Sequence, residues 1–417
     1  MTLPELKFNT KTKILFAAIL FAAGTIPFYN HLNSIAMIIF VFACVIQQPV
    51  LVTLQRLRKP SLWIWPVLYL AWFVLSYFWD VSGGYAARDI ERYASLLFIP
   101  TSLAILPKLP RRFVRIACMF FVLVTTLVCV ICLVKSAWEY SIAGDYRVFY
   151  YHYLSMQLEL NAIFLSNYCL ASIIWLLYFG FLQRKNISGP VYIIICLTIA
   201  FLFGMVMLLS SKLIIFLMFL MLMGFICYIG YLRRFLLKSL IAISIIIVTG
   251  VIAVNKLSYL NWRVASTTLK KYSGKEDDNN GLSIRVLMWE NAFNLVKKRP
   301  LLGYGIRGAR QKIVEVYKNE NFELGYEAGY HSHNQYLESA LMGGIFSLLL
   351  FVAMIAKAGW NGFRSENVLL LFMLFHFAVQ SMIESTYEVQ QEQVFYVFFL
   401  FLFYYHSPSL RQNPVNK

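Results

Sequence analysis

Residues 188–231 read SGPVYIIICLTIAFLFGMVMLLSSKLIIFLMFLMLMGFICYIGY, with Lys212 the one charged side chain among them. Two apolar runs, 188–209 and 212–231, meet at Ser210-Ser211-Lys212. Each is about 20 residues long, the length of helix that crosses about 30 Å of hydrocarbon. In lipid every backbone N–H and C=O must be satisfied within the segment, so an uninterrupted apolar run of this length is a helix. This stretch sets the fold class: an all-α polytopic membrane protein.

The same pattern extends along the chain. Its 417 residues are 60% hydrophobic and 14% charged, with a mean hydropathy of +0.65, whereas soluble domains are nearer half apolar and a quarter charged. Qualifying runs near 12–29, 32–50, 61–79, 91–107, 113–135, 159–181, 188–209, 212–231, 235–254, 335–357, 365–384 and 391–406 predict about twelve transmembrane helices. No small-residue cleavage pattern follows the first run, which reads as a signal-anchor. The seven cysteines all fall in these runs without paired metal-ligand spacing. They read as small buried residues, and the large loop is expected to hold no disulfide.

The net charge of +17 would suit a nucleic-acid partner, but its distribution argues against one. Arg56, Arg58 and Lys59; Lys108, Arg111, Arg112 and Arg115; Arg184 and Lys185; Arg233, Arg234 and Lys238; and Lys357 to Arg364 all fall in short connections. With twelve spans and a cytoplasmic N-terminus, each of these connections faces the cytoplasm, which is the positive-inside pattern. The C-terminus is then cytoplasmic too. The chain divides into an N-terminal bundle of about nine helices (1–254), an extracytoplasmic loop (255–334) and about three C-terminal helices with a short tail (335–417). Glu91 and Arg92, at the start of the fourth run, read as an internal ion pair.

The loop between helices 9 and 10 is basic and partly helical. Its basicity fits attraction to anionic headgroups or a phosphate-bearing substrate. Ile284, Leu287, Met288, Ala292, Leu295 and Val296 form one stripe at helical spacing and predict a helix over 283–298. Arg285 and Trp289 share another face of it. A second short helix is expected over 307–318, after the turn Gly303-Tyr304-Gly305. At the seam with the tenth span stands Tyr330-His331-Ser332-His333-Asn334-Gln335. Ser332-x-x-Gln335 matches a capping box and predicts His333 in the first helical turn, where the helix dipole favours a neutral imidazole. A neutral imidazole serves as a general base; His331 competes for the role. Arg285 suits phosphate oxygens. Lys212 reads either as a lysine snorkelling to the interface or as a second cation for the same ligand. No P-loop, paired acidic metal site, nucleotide fingerprint or Ser-His-Asp order is present, so neither a metal nor another cofactor is expected.

At these residues the chain resembles the O-antigen ligase and polymerase superfamily of bacterial membrane proteins. The resemblance covers roughly Gly204 to Phe351. It rests on Ser211-Lys212 opening a span, Arg285 followed by Trp289, Pro300-x-x-Gly303-x-Gly305, and His333-Asn334-x-x-Leu337-Glu338 leading to Gly343-Gly344-Ile345. It implies a GT-C-like, metal-independent, inverting glycosyltransferase in the bacterial inner membrane with its loop in the periplasm. The donor is a glycan on undecaprenyl diphosphate, and the acceptor lipid A–core, another glycan or a protein. Carried over, His333 activates the acceptor hydroxyl and Arg285 and Lys212 hold the diphosphate. Asn334, Trp289, His331 and Ser211 support them. Lys212 departs from the family's usual arginine, and lacks the planar fork that grips phosphate bidentately; Arg307 is the compensating cation. The short chain with one large loop favours the lipopolysaccharide ligase over a polymerase or protein O-glycan ligase. A transporter of lipid-linked sugars fits twelve spans equally, but would place its polar groups at mid-membrane.

Overall fold

The computed structural model describes residues 9–28, 30–59, 61–83, 87–182, 188–209, 211–233 and 281–406; the ninth expected span and the loop up to residue 280 lie outside them. Among the described residues every regular element is helical. Five helices are long and apolar enough to cross a membrane: Arg111–Ala143, Ala162–Leu182, Gly189–Leu209, Lys212–Tyr231 and Gln335–Arg364. The pair His31–Val45 and Val50–Leu57, bent by 103°, makes a sixth if counted as one span. The other expected runs hold shorter apolar helices, among them Thr10–Thr25, Ile64–Leu75, Ser95–Ile105, Val368–Gln380 and Gln390–His406. This is a membrane protein; among the described residues five helices, or six with the bent pair, are long and apolar enough to cross, where about twelve spans are expected from the sequence.

The chain forms two compact units. The second, Lys13–Phe40 with Arg111–Thr267, is built around Ala162–Leu177, which is almost wholly buried. Asn161 caps this helix, its side chain accepting from Ile163 N at 2.8 Å. Phe121, on the 33-residue helix Arg111–Ala143, meets Tyr168 and Trp175 edge-on. Leu123, Leu127 and Val134 face outward from that helix, as lipid contact requires. Ser211 is buried and Lys212 opens Lys212–Arg233.

The first unit comprises Met1–Thr12, Val41–Pro110 and Thr268–Lys417. Its decisive feature is a break in Gln335–Arg364, where Gly343 (φ −127, ψ 18) and Gly344 (φ 66, ψ −160) leave helical geometry. Tyr336 and Phe351 are fifteen residues apart, about 22 Å along a straight helix, yet their ring centroids are 5.1 Å apart. Ser347 Oγ likewise donates to the Ser339 carbonyl. The first eight residues therefore double back along the rest. The expected span at 335–357 is corrected accordingly: its start is a folded-back half-helix, and Ile345–Arg364 is the part with room to cross on its own, about 30 Å of helix.

A break orphans backbone groups, and buried orphans are costly. The turn 300–305 takes them up: Tyr304 N donates to Leu341 O at 2.8 Å, Gly305 N to Met342 O at 2.9 Å, and Ile345 N to Pro300 O at 2.8 Å. Trp72 Nε1 donates to Gly343 O at 2.8 Å and Trp79 Nε1 to Leu302 O at 2.7 Å. Any side chain at Gly344 would overlap the Leu301 carbonyl, and its φ is left-handed. The following helix, Ile306–Asn319, is capped from a distance: the Asp80 carboxylate accepts from Arg307 N at 3.1 Å and Gly308 N at 3.1 Å. Arg92 pairs with Glu388 at 2.7 Å, which replaces the expected pairing with Glu91.

Gly344→Ala should cost at least about 2 kcal/mol, from left-handed backbone and overlap together. Gly204, with open space around it, is the control: Gly204→Ala should stay within about 0.5 kcal/mol. Thermal unfolding of the purified protein in detergent compares the two.

Candidate functional site

The loop 381–389, between Val368–Gln380 and Gln390–His406, receives the His333 segment. Gln335 N donates to Ser381 O at 2.8 Å, Asn334 N to Ser385 Oγ at 3.2 Å, and Asn334 Nδ2 to Met382 O at 2.9 Å. The N-cap is Asn334, whose Oδ1 accepts from Tyr336 N at 2.9 Å and Leu337 N at 3.0 Å. This corrects the expected capping box. Ser332 is engaged elsewhere, its N and Oγ donating to Glu338 Oε2 at 2.9 and 2.5 Å. Gln335 turns inward, its Oε1 accepting from Tyr387 N at 2.8 Å. His333 thus stands one residue before the N-cap, outside the helix, with φ +47. That left-handed conformation costs a non-glycine residue on the order of 1 kcal/mol, offset by the bonds that pin the segment.

The strained turn aims the imidazole at a carboxylate. His333 Nδ1 lies 2.9 Å from Glu384 Oε2. Arg285 holds the other oxygen, NH2 to Oε1 at 2.5 Å, while its Nε donates to Ile383 O at 3.2 Å. One turn along Gly281–Lys298, Trp289 Nε1 donates to the His333 carbonyl at 3.3 Å. His331 stacks on His333 with ring centroids 4.2 Å apart. Burial by itself would raise the Glu384 carboxyl, but His333 and Arg285 outweigh it and hold it down at about 2. Burial, and next the neighbouring His333, push His331 well below the usual histidine value.

Glu384 is therefore ionised and can only accept. His333 must place its proton on Nδ1, which leaves the Nε2 lone pair outward. Among the described residues no group hydrogen-bonds that nitrogen. The side chain is 22% exposed, so the lone pair is reachable. A positioned imidazole with a carboxylate behind it takes a proton from a hydroxyl and is stabilised on becoming charged.

Residues 196–352 match the family model described as O-antigen ligase. This stretch is similar to O-antigen ligases. Over 132 residues the chain is also 30% identical to an uncharacterized protein of Haemophilus influenzae; the match covers 31% of this chain and 32% of that protein. The chain thus spans about a third of the length of the curated relative it matches.

Within the matched stretch the structure brings together His333, His331, Asn334, Arg285 and Trp289. Arg307, also within it, is exposed at the Asp80-capped turn, and Ser211 and Lys212 belong to the second unit. Glu384 lies beyond the matched stretch, and sequence reasoning missed it by placing it at the end of the span 365–384. A signal was present: Ser381 to Glu388 is polar and joins two spans on the side that the charge pattern assigns to the large loop.

The Glu384 carboxyl, depressed from 4.5 to about 2, contributes stability that is full above 4.5 and is lost as pH falls through about 2. The protein in detergent should lose on the order of 3 kcal/mol across that window. Glu384→Gln should start less stable and show a flatter decline. Equal slopes for the two proteins would contradict this.

Proposed function

We propose that the protein is a membrane glycosyltransferase of the ligase or polymerase type, moving a glycan from undecaprenyl diphosphate to an acceptor hydroxyl. The observation that carries the reading is the His333–Glu384–Arg285 arrangement lying at a stretch similar to O-antigen ligases. His333 Nε2 takes the acceptor proton, and the acceptor oxygen forms its bond to the anomeric carbon. The anomeric C–O bond breaks with its electron pair leaving on the diphosphate. Attack opposite the leaving group inverts the anomeric centre.

Arg285 meets the departing charge, with Lys212 and Arg307 as further cations for the diphosphate. Preorganised cations aimed where charge develops lower such barriers. Diphosphate is already a good leaving group, and the reading uses no metal. Membrane lipids surround the helices, and no nucleic acid takes part.

In this reading residues 1–254 and 335–417 hold the membrane-embedded bundle and 255–334 the catalytic loop. The basic connections keep both termini in the cytoplasm, so the loop is periplasmic and the membrane is the bacterial inner one. Lipid A–core is the preferred acceptor in this reading. A lipid-linked sugar transporter is the competing class. The gathering of a general-base arrangement in one place favours chemistry over passage.

His333→Ala should lower glycan transfer by about 10²–10⁴-fold with the protein still inserted at normal level. Near-normal transfer would sink the general-base assignment. On a lipopolysaccharide gel from a deletion strain, missing O-chain with long carrier-linked glycan indicates the ligase. Core bearing one repeat indicates a polymerase, an intact ladder with an absent glycoprotein a protein ligase, and glycan trapped on the cytoplasmic side a transporter. Lys212→Arg should retain transfer and Lys212→Ala should lose most of it; two variants equal to wild type would remove Lys212 from the diphosphate site.

A further inference from the structure

His331 and His333 use their ring nitrogens in opposite senses. The backbone N–H of His333 donates to His331 Nδ1 at 3.1 Å. A ring nitrogen that accepts a hydrogen bond carries no proton, so neutral His331 holds its one proton on Nε2. Burial and the adjacent His333 favour that neutral form. In His333 the order is reversed: Glu384 claims Nδ1–H and Nε2 keeps its lone pair. The two rings lie against each other, centroids 4.2 Å apart and planes tilted by 39°, so one presents a donor beside the other's acceptor.

We propose that His331 is a specificity-determining donor: its Nε2–H binds a second acceptor oxygen beside the hydroxyl that His333 deprotonates. The acceptor class this pair fits is a sugar ring bearing oxygens on neighbouring carbons, rather than the isolated hydroxyl of a serine or threonine. The inference rests on the general-base reading of His333. His331 itself moves no proton. Such a polar pair discriminates because an acceptor lacking the second oxygen leaves a desolvated donor without a partner.

Two substitutions separate this role from mere support of the backbone. His331→Asn keeps an oxygen where Nδ1 accepts the His333 N–H but removes the outward donor. His331→Gln keeps an outward N–H and gives up the inward contact. Transfer is measured in proteoliposomes, with carrier-linked donor and the acceptor glycolipid fraction extracted from the source bacterium. The Asn variant should raise the acceptor KM by about 10–100-fold with kcat changed far less, while the Gln variant, which keeps the donor, should recover most of that loss. The reverse order, Asn near wild type and Gln impaired, would overturn the proposal.

Nitrogen-15 spectra of histidine-labelled protein in detergent, assigned with the same variants, give a second readout. They should show His331 protonated at Nε2 and bare at Nδ1, and His333 the opposite. A proton on His331 Nδ1 would also overturn it. No substrate is present in that experiment, so it separates failure of the tautomer assignment from failure of the general-base reading.

Discussion

The break at Gly343–Gly344 creates unsatisfied backbone groups inside an apolar region, and the first unit is arranged around satisfying them. The turn 300–305 supplies two donors and one acceptor to the broken helix, and Trp72 adds a third donor. In a medium without water each unmet group costs several kcal/mol, so the turn and the break stabilise each other or fail together. Locking the turn fixes the C-terminal end of Gly281–Lys298, and with it the face bearing Arg285 and Trp289. Folding back the half-helix 335–342 carries His333 to the loop 381–389. The sequence shows Gly303-Tyr304-Gly305 only as a turn before a second short helix. In the structure its backbone serves the break, and the helix start beyond it is occupied by Asp80.

Glu384 sets the electrostatics of the site. A buried carboxylate without partners would be protonated or excluded. Here a guanidinium and an imidazole share it, one on each oxygen. It fixes the His333 tautomer and is poised to stabilise the imidazolium that forms on proton capture. It also neutralises Arg285 in the resting site. A diphosphate drawn to Arg285 competes with Glu384 for the guanidinium, and a shift of Arg285 toward phosphate would leave Glu384 more fully to His333. Under the proposed function, donor binding and base strength would be linked through this one carboxylate.

Much of the fold was legible because a membrane span announces itself by length and polarity alone. The amphipathic helix of Gly281–Lys298 was legible as well: Ile284, Met288, Ala292 and Leu295 recur at helical spacing and are buried. The seam at His333 stood out as a polar, ionisable cluster at an apolar boundary. What the sequence concealed was direction and pairing. Apolarity is the same whether a helix continues or doubles back, so Gly343-Gly344 read as small residues within a span. Ser332 and Asn334 are both good N-caps, and only the Glu338 carboxylate on Ser332 decides between them. Glu384 is 51 residues from His333, and Asp80 is 227 from Arg307, separations at which no local pattern operates.

In the proposed reaction His333 and Glu384 act as one device, and a double-mutant cycle on glycan transfer measures their coupling. Rates are compared for wild type, His333→Ala, Glu384→Gln and the double variant in membranes carrying equal amounts of protein. A carboxylate that works through the imidazole has nothing to contribute once the imidazole is gone, so the double variant should be no slower than His333→Ala. If the two losses multiply, Glu384 acts independently of His333 and the account is wrong.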